Sequence, residues 1–408
     1  MSKSAEQEAL VLLAQKRLYP SYRQPPLVIS HGKGREVWDK AGRRYLDMMA
    51  GIAVSALGHA HPKLISVIAE QAGRLMHMAN YFYNEPNIRL ADELCRRTGF
   101  DRAFFCNSGT EANEAMLKLV RHHFHRLGQS ARQRIIAFEE GFHGRTLGAL
   151  SMTGRVQYRQ GFGIPEHLVT HVPFGDIEAV RKAMGDDVAG IVVEPVQAEG
   201  GVIPAPEGFL KGLREICDQS GALLMIDEVQ TGVGRTGTFL GQEQDGVKAD
   251  VIAMAKALGG GFPVGAMLCR EAYAGALPPG SHGTTCGGNP LASAVALAVL
   301  EVVDEENLVE EARTKGEHLA KALAALAAKY PQVVEAERGR GLLRALPLRP
   351  GIDPRKVLGD LRERGLLITL AGDRALRFTP PLNVTIAELD EAVSILDDVL
   401  AHTEAPSA

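Results

Sequence analysis

The 408-residue sequence predicts an α/β fold: a large domain on a mainly parallel central sheet flanked by helices, plus a smaller α+β domain. Three observations carry this. Short runs between about residues 55 and 280 are apolar throughout rather than alternating, the pattern of strands covered on both faces. Segments with helical spacing lie between most of them. The chain is also too long for one ordinary core. The expected division is 1–54 as an N-terminal arm and part of the small domain, 55–300 as the large domain, and 301–408 as the C-terminal small domain.

Taken in order, the first twenty residues have the spacing of an amphipathic helix. Next, "DKAG" sits between two alternating runs and predicts a hairpin or small sheet. The strand candidates are "RAFFC" (102–106), "RIIAF" (134–138), "LVTHV" (168–172), "GIVVEP" (190–195), "ALLMIDE" (222–228) and "DVIAMAK" (250–256). Between the first two, Ala112, Ala115, Met116, Leu119, Val120, Phe124 and Leu127 recur three or four apart, which predicts a helix. Beyond about 310, "LVEEARTKGEHLAKALAALAAKY" and "TIAELDEAVSILDDVLAHT" read as helices. "GRGLLRALPL" and "GLLITLAGDRALRFTPP" between them read as strands, and "TEAPSA" as a frayed tail.

Composition narrows the function. A net charge of −4 offers no basic surface for nucleic acid. Five scattered cysteines without CxxC spacing fit reduced thiols in a cytoplasm. Glutamates precede the short N-terminal apolar patch, with no basic region or small-residue cleavage site, so no signal peptide is expected. No apolar run approaches the ~20 residues that span a bilayer. The expected location is therefore cytoplasmic, without membrane attachment.

The chemistry gathers at strand ends. "NSGTEANEA" is a strand-to-helix turn. Ser108 and Thr110 offer hydroxyls, Gly109 admits close backbone approach, and the helix start presents free N–H groups, as a phosphate cradle requires. Taken alone, a serine or threonine there is more often just an N-cap. Lys256 closes an apolar run and is followed by three glycines. Most such lysines are solvated, but one kept from water in a crevice loses its proton readily and can attack a carbonyl. Asp227 closes the neighbouring run. A phosphate cradle, an acid and a Schiff-base lysine together describe a site for pyridoxal 5′-phosphate.

The sequence resembles the class III aminotransferases of fold type I, nearest the acetylornithine and succinylornithine group, from about Tyr22 to about Leu382. The resemblance is carried by "GIAVSALGHAHP", "NEPNIRLADEL", "NSGTEANEA", "FHGRTLGALS", "VVEPVQAEGGV", "IDEVQTGVGRTG", "AKALGGGFPVGA", "HGTTCGGNPLASAVA", "RGRGLL" and "RFTPPL". It implies that Lys256 bonds the cofactor aldehyde and moves the substrate proton. Asp227 would pair with the ring nitrogen and Gln230 with the phenolic oxygen. Val229 and Phe142 would cover the ring faces, and Ser108, Gly109 and Thr110 would bind phosphate. Thr285, with Thr284 beside it on the substrate side, would serve the neighbouring subunit of a homodimer with shared sites.

Among arginines, Arg377 would take the α-carboxylate and Arg145 the distal one, because a guanidinium fork matches a carboxylate. Glu199 would mask Arg377 while a distal amine reacts. Tyr22 would contact substrate, and Glu194 would stand behind the site. His143 is expected to pack or hydrogen-bond rather than act as the base. The implied reaction moves the amino group of N2-acetylornithine or N2-succinylornithine to 2-oxoglutarate, giving the N-acyl-glutamate semialdehyde and glutamate. Ornithine, 4-aminobutyrate or an aminomutase substrate is the alternative within the class.

Ala198, Cys286 and Thr379 depart from the glycine, tyrosine and alanine usual in that family, which puts the exact donor in question. A nucleotide-binding protein is disfavoured, because neither GxGxxG after a first strand nor GxxxxGK[ST] occurs. Glycine-rich turns at so many strand ends also argue against a scaffold.

Overall fold

The computed structural model describes residues 2–405, apart from the Glu166 side chain. At its centre is a seven-stranded sheet of β4 (Arg102–Cys106), β5 (Arg134–Phe138), β6 (Val169–Val172), β7 (Val188–Val193), β10 (Leu223–Asp227), β11 (Val251–Met254) and β12 (Gly265–Cys269), in the order β4-β12-β11-β10-β7-β5-β6. Neighbours pair in parallel except β12, which runs antiparallel to both β11 and β4. Every residue of β7, β10, β11 and β12 is buried, which explains why these runs are apolar without alternation. All six expected runs form strands of this sheet. β12 is the addition: it starts directly after the glycine–proline stretch, whose turn residues obscured it.

Three smaller sheets complete the chain. The hairpin at "DKAG" forms as expected between β2 (Glu36–Asp39) and β3 (Arg44–Asp47). β1 (Ile29–Lys33) pairs on one side and β15 (Leu366–Leu367) on the other, the latter parallel to β3. Thus the N-terminal arm shares a sheet with the C-terminal region. A two-stranded sheet joins β8 (Val196–Gln197) and β9 (Ile203–Pro204). The last, β13-β14-β17-β16, uses β13 (Arg338–Arg340), β14 (Leu343–Pro347), β16 (Thr369–Ala371) and β17 (Ala375–Phe378).

The helices Gly109–Arg126, Leu308–Lys329 and Ile386–Ala401 match the expected segments. A helix at Pro354–Glu363 was not anticipated. The N-terminal helix, Lys3–Arg17, is present but buries no residue, and Leu12 and Leu13 face outward. Its half-buried positions Gln7, Leu10, Val11 and Ala14 lie three or four apart, on one face. Of the "TEAPSA" tail, the last three residues lie outside the described residues.

One turn, at residues 50–53 where "GIAVSALGHAHP" begins, is left-handed. Ala50, Gly51, Ile52 and Ala53 have φ of +46°, +62°, +64° and +62°. This conformation costs an L-residue about 1–2 kcal/mol. Asp47 Oδ1 stabilises it by accepting the N–H groups of Met49 and Ala50, both at 2.9 Å. The Thr379 hydroxyl donates to the Met49 carbonyl at 2.9 Å, and the Thr379 N–H donates to Met48. The unusual threonine thus ties the turn to the segment that follows Arg377.

Candidate active site

A cavity of about 370 Å³ opens beyond the carboxyl ends of β4, β7, β10 and β11, where ligands of such sheets bind. Of the residues expected in the site, Ser108, Gly109, Thr110, Phe142, Arg145, Glu199, Asp227, Val229, Gln230 and Lys256 line it.

Lys256 follows β11 with a φ of +43° and extends its amine into this cavity. Burial pushes that amine below the ordinary lysine value; Glu199 opposes the shift and Arg377 adds to it. The glycines after it are needed for close packing. A Cβ on Gly259 would stand 2.8 Å from Val264 Cγ1, and one on Gly260 would stand 2.7 Å from Val299 Cγ2.

Asp227 closes β10 and is buried. Its Oδ2 accepts from Asn113 Nδ2 and pairs with His143 Nδ1, both at 2.8 Å, and its Oδ1 accepts the Val229 N–H at 3.0 Å. Burial lowers the His143 imidazole, but the bond to Asp227 and the nearby Glu194 charge outweigh this and raise it. Asn113 was missed by sequence reasoning. The signal was present: it lies four residues after Gly109 in the same helix, hence on the same face.

Ser108 is the N-cap of the helix Gly109–Arg126, accepting the Glu111 N–H and donating to the Glu111 carboxylate at 2.7 Å. The capping role is therefore real. The Thr110 hydroxyl oxygen accepts the N–H groups of Arg145 and Thr146 at 3.1 and 3.2 Å. That leaves the first backbone N–H groups of the helix, at Gly109 and Thr110, as the anion-facing donors.

Arg377 is fully buried and does not line the cavity. Its Nη1 donates to Glu199 at 2.5 Å and to the Ala198 carbonyl at 3.2 Å, and Nε donates to Thr369 Oγ1 at 3.0 Å. Burial disfavours the Glu199 charge, yet Arg377 and Lys256 hold its carboxyl below the ordinary value. Gln230 bridges the pair, donating to Glu199 at 3.3 Å and accepting from Arg377 at 3.4 Å. Arg145 lies over the Tyr158 ring at 4.0 Å and the Phe142 ring at 5.4 Å.

Besides Arg377, three expected residues do not reach the cavity within this chain. Tyr22 is exposed, Thr285 is exposed, and Thr284 Oγ1 accepts from Asn107 Nδ2 and the Gly287 N–H. Residues not expected to line it also do so, among them Val54, after the left-handed turn, Asn113, Phe262 and Glu194.

The family description "Aminotransferase class-III" matches residues 18–400. The chain belongs to the class III aminotransferases. Among curated members, an acetylornithine aminotransferase of Myxococcus xanthus is 47% identical over 95% of this chain and 97% of its own. Among solved structures, ornithine aminotransferase of Toxoplasma gondii superposes with a TM-score of 0.94 at 33% identity, over 97% of this chain and 94% of its own. N-acetylornithine aminotransferase of Stenotrophomonas maltophilia does so with a TM-score of 0.83 at 38% identity, over 96% and 98%. This aminotransferase therefore has the α/β fold expected from its sequence. Among the described residues, no helix is long and apolar enough to cross a membrane.

Proposed function

We propose that this aminotransferase moves the amino group of N2-acetylornithine, or its N2-succinyl analogue, to 2-oxoglutarate, with pyridoxal 5′-phosphate as cofactor. The residues present fit that cofactor. Gly109 lets the helix start pack directly on Val229, since a Cβ there would stand 2.7 Å from Val229 Cγ1, and so brings its backbone N–H groups to the cavity. A lysine amine of lowered proton affinity and a buried carboxylate share the cavity with the start of a helix. When bound, the cofactor supplies an aldehyde that condenses with amines and a ring that draws electrons from the reacting carbon.

The chain's own residues would divide the work. Lys256 Nζ would hold the aldehyde carbon and, once free, move the proton at the substrate carbon. Asp227, fixed by Asn113 and His143, would keep the ring nitrogen's proton in place. Gln230 would reach the phenolic oxygen, and Phe142 and Val229 would keep water from the ring faces. Ser108, Gly109 and Thr110 would hold the phosphate, the last two through their backbone N–H groups.

One observation carries the substrate assignment: Glu199 lines the cavity while Arg377 lies paired beside it. With Arg377 covered, a donor's carboxylate is left to Arg145, and the amine at the far end meets Lys256. When Glu199 withdraws, Arg377 can take the carboxylate next to the oxo group of 2-oxoglutarate, and Arg145 can take the distal one. Curated relatives named acetylornithine aminotransferase support this donor. Ornithine is the second reading, favoured by the backbone match to the T. gondii enzyme.

The assembly completing the site would be a homodimer. Tyr81 and Tyr83 are 93% and 94% exposed. Next to them, Asn80 donates to the Thr284 and Gly287 carbonyls, joining these rings to the loop that carries Thr285. Such a patch is unusual on a monomer.

Rates of cofactor-saturated protein on N-acetylornithine, N-succinylornithine, ornithine and 4-aminobutyrate test the proposal. An acylornithine should have the highest kcat/KM; a higher value for 4-aminobutyrate would overturn the donor. Borohydride reduction and peptide mapping should place a pyridoxyl group on Lys256, and a tag elsewhere would overturn the lysine's role.

A further inference from the structure

Glu194 is a third carboxyl in the cavity, beside Glu199 and Asp227, and the mechanism above gives it no work. It follows β7 and is buried. Its two oxygens hold two separate backbone amides. Oε1 accepts the Phe142 N–H at 2.9 Å, and Oε2 accepts the Ala198 N–H at 3.3 Å. The Ala198 carbonyl in turn accepts from Arg377 Nη1, the same nitrogen that Glu199 holds. One buried carboxyl thus links the wall that carries Phe142 to the peptide that carries Glu199.

The peptide has little freedom elsewhere. Ala198 is fully buried in an apolar cluster with Val196, Val202 and Leu343. The Glu199 carbonyl accepts the Gly372 N–H at 2.7 Å. Backbone motion is therefore closed off as a way to release Arg377, and Glu199 must swing by side-chain rotation about a fixed peptide.

We propose that Glu194 is a positioning residue that holds the Ala198–Glu199 peptide in register with Phe142, and so sets how readily Glu199 yields Arg377 to the carboxylate of an incoming oxo acid. This rests on the assignment of Arg377 as the carboxylate site. The alternative duty for a buried carboxyl in a cavity is proton transfer, and kinetics separate the two.

In Glu194→Gln, the amide oxygen can keep the Phe142 N–H, but the amide nitrogen then faces the Ala198 N–H, donor against donor. KM for 2-oxoglutarate should rise about tenfold, the scale of one lost hydrogen bond to a charged group. KM for the amino donor should stay within about twofold and kcat within about threefold, since the donor half-reaction does not use Arg377. Glu194→Asp keeps the charge but is too short to span both amides; it should show the same split and serves if the glutamine variant fails to fold. Unchanged KM for 2-oxoglutarate in a folded variant would overturn the proposal. So would a fall in kcat with a displaced limb of the pH profile and KM intact, which would make Glu194 a proton carrier. Wild-type protein inactive on every donor would instead sink the transaminase assignment, so the two failures are distinguishable.

Discussion

Asp227 is held from three directions, by Asn113, His143 and the Val229 amide. A carboxylate can satisfy these donors and still accept a proton-bearing ring nitrogen, because it has no proton of its own to place. Asparagine cannot: its NH2 would oppose the Asn113 amide or the ring nitrogen. Asp227→Asn should therefore lose roughly 10³-fold or more in kcat, the scale of removing one preorganised electrostatic partner. Single-turnover rates check this, alongside a thermal melt that should show an intact fold. Activity within tenfold of wild type would remove the charge pair from the mechanism. On this proposal His143, bonded to Asp227 at 2.8 Å, orients the carboxylate rather than serving as the base.

At the scale of elements, two close contacts decide the site. The start of the helix Gly109–Arg126 lies against Val229, so Gly109→Ala must push either the helix or the valine. Overpacking of this kind costs about 1–3 kcal/mol. Cofactor affinity, followed by equilibrium titration, should fall by about tenfold or more. Gly73→Ala is the control: nothing lies within 4 Å of its added methyl, and it should be neutral or slightly stabilising. The left-handed turn at 50–53 depends on outside support, part of it from the Thr379 hydroxyl. Thr379→Ala should cost about 1 kcal/mol in urea unfolding. An unchanged midpoint would mean that Asp47 alone holds the turn.

For the whole molecule, pH is the informative variable. Burial raises the Glu228 carboxyl to about 7, against 4.5 when exposed. The folded chain therefore holds a proton that the unfolded chain has released between those values. The stability it contributes is complete below pH 4.5 and is lost as pH rises through about 7. Glu228 sits away from the cavity, accepting from the Gly241 and Gln242 amides and from Thr231. In Glu228→Gln the fall in unfolding free energy between pH 5 and pH 7.5 should be smaller than in wild type. An equal fall would show that the carboxyl does not change protonation across that range.

The sequence by itself determined six of the seven segments of the central sheet and most of the residues that gather at its end. Apolar runs long enough to be buried on both faces admit few other arrangements, and Asp227 and Lys256 close two of them. It did not reveal β12, because turn residues abut it, nor the left-handed turn, because Ala50 and Ile52 carry no local mark of positive φ. Tertiary structure alone decided the pairings of Glu194 with Phe142 and Ala198 and of Asn113 with Asp227, whereas the Glu199–Arg377 pair was implied by the family resemblance. Periodicity reports which face of an element is buried. It carries no information about which distant carboxylate will meet which distant amide, since that depends on how whole elements stack.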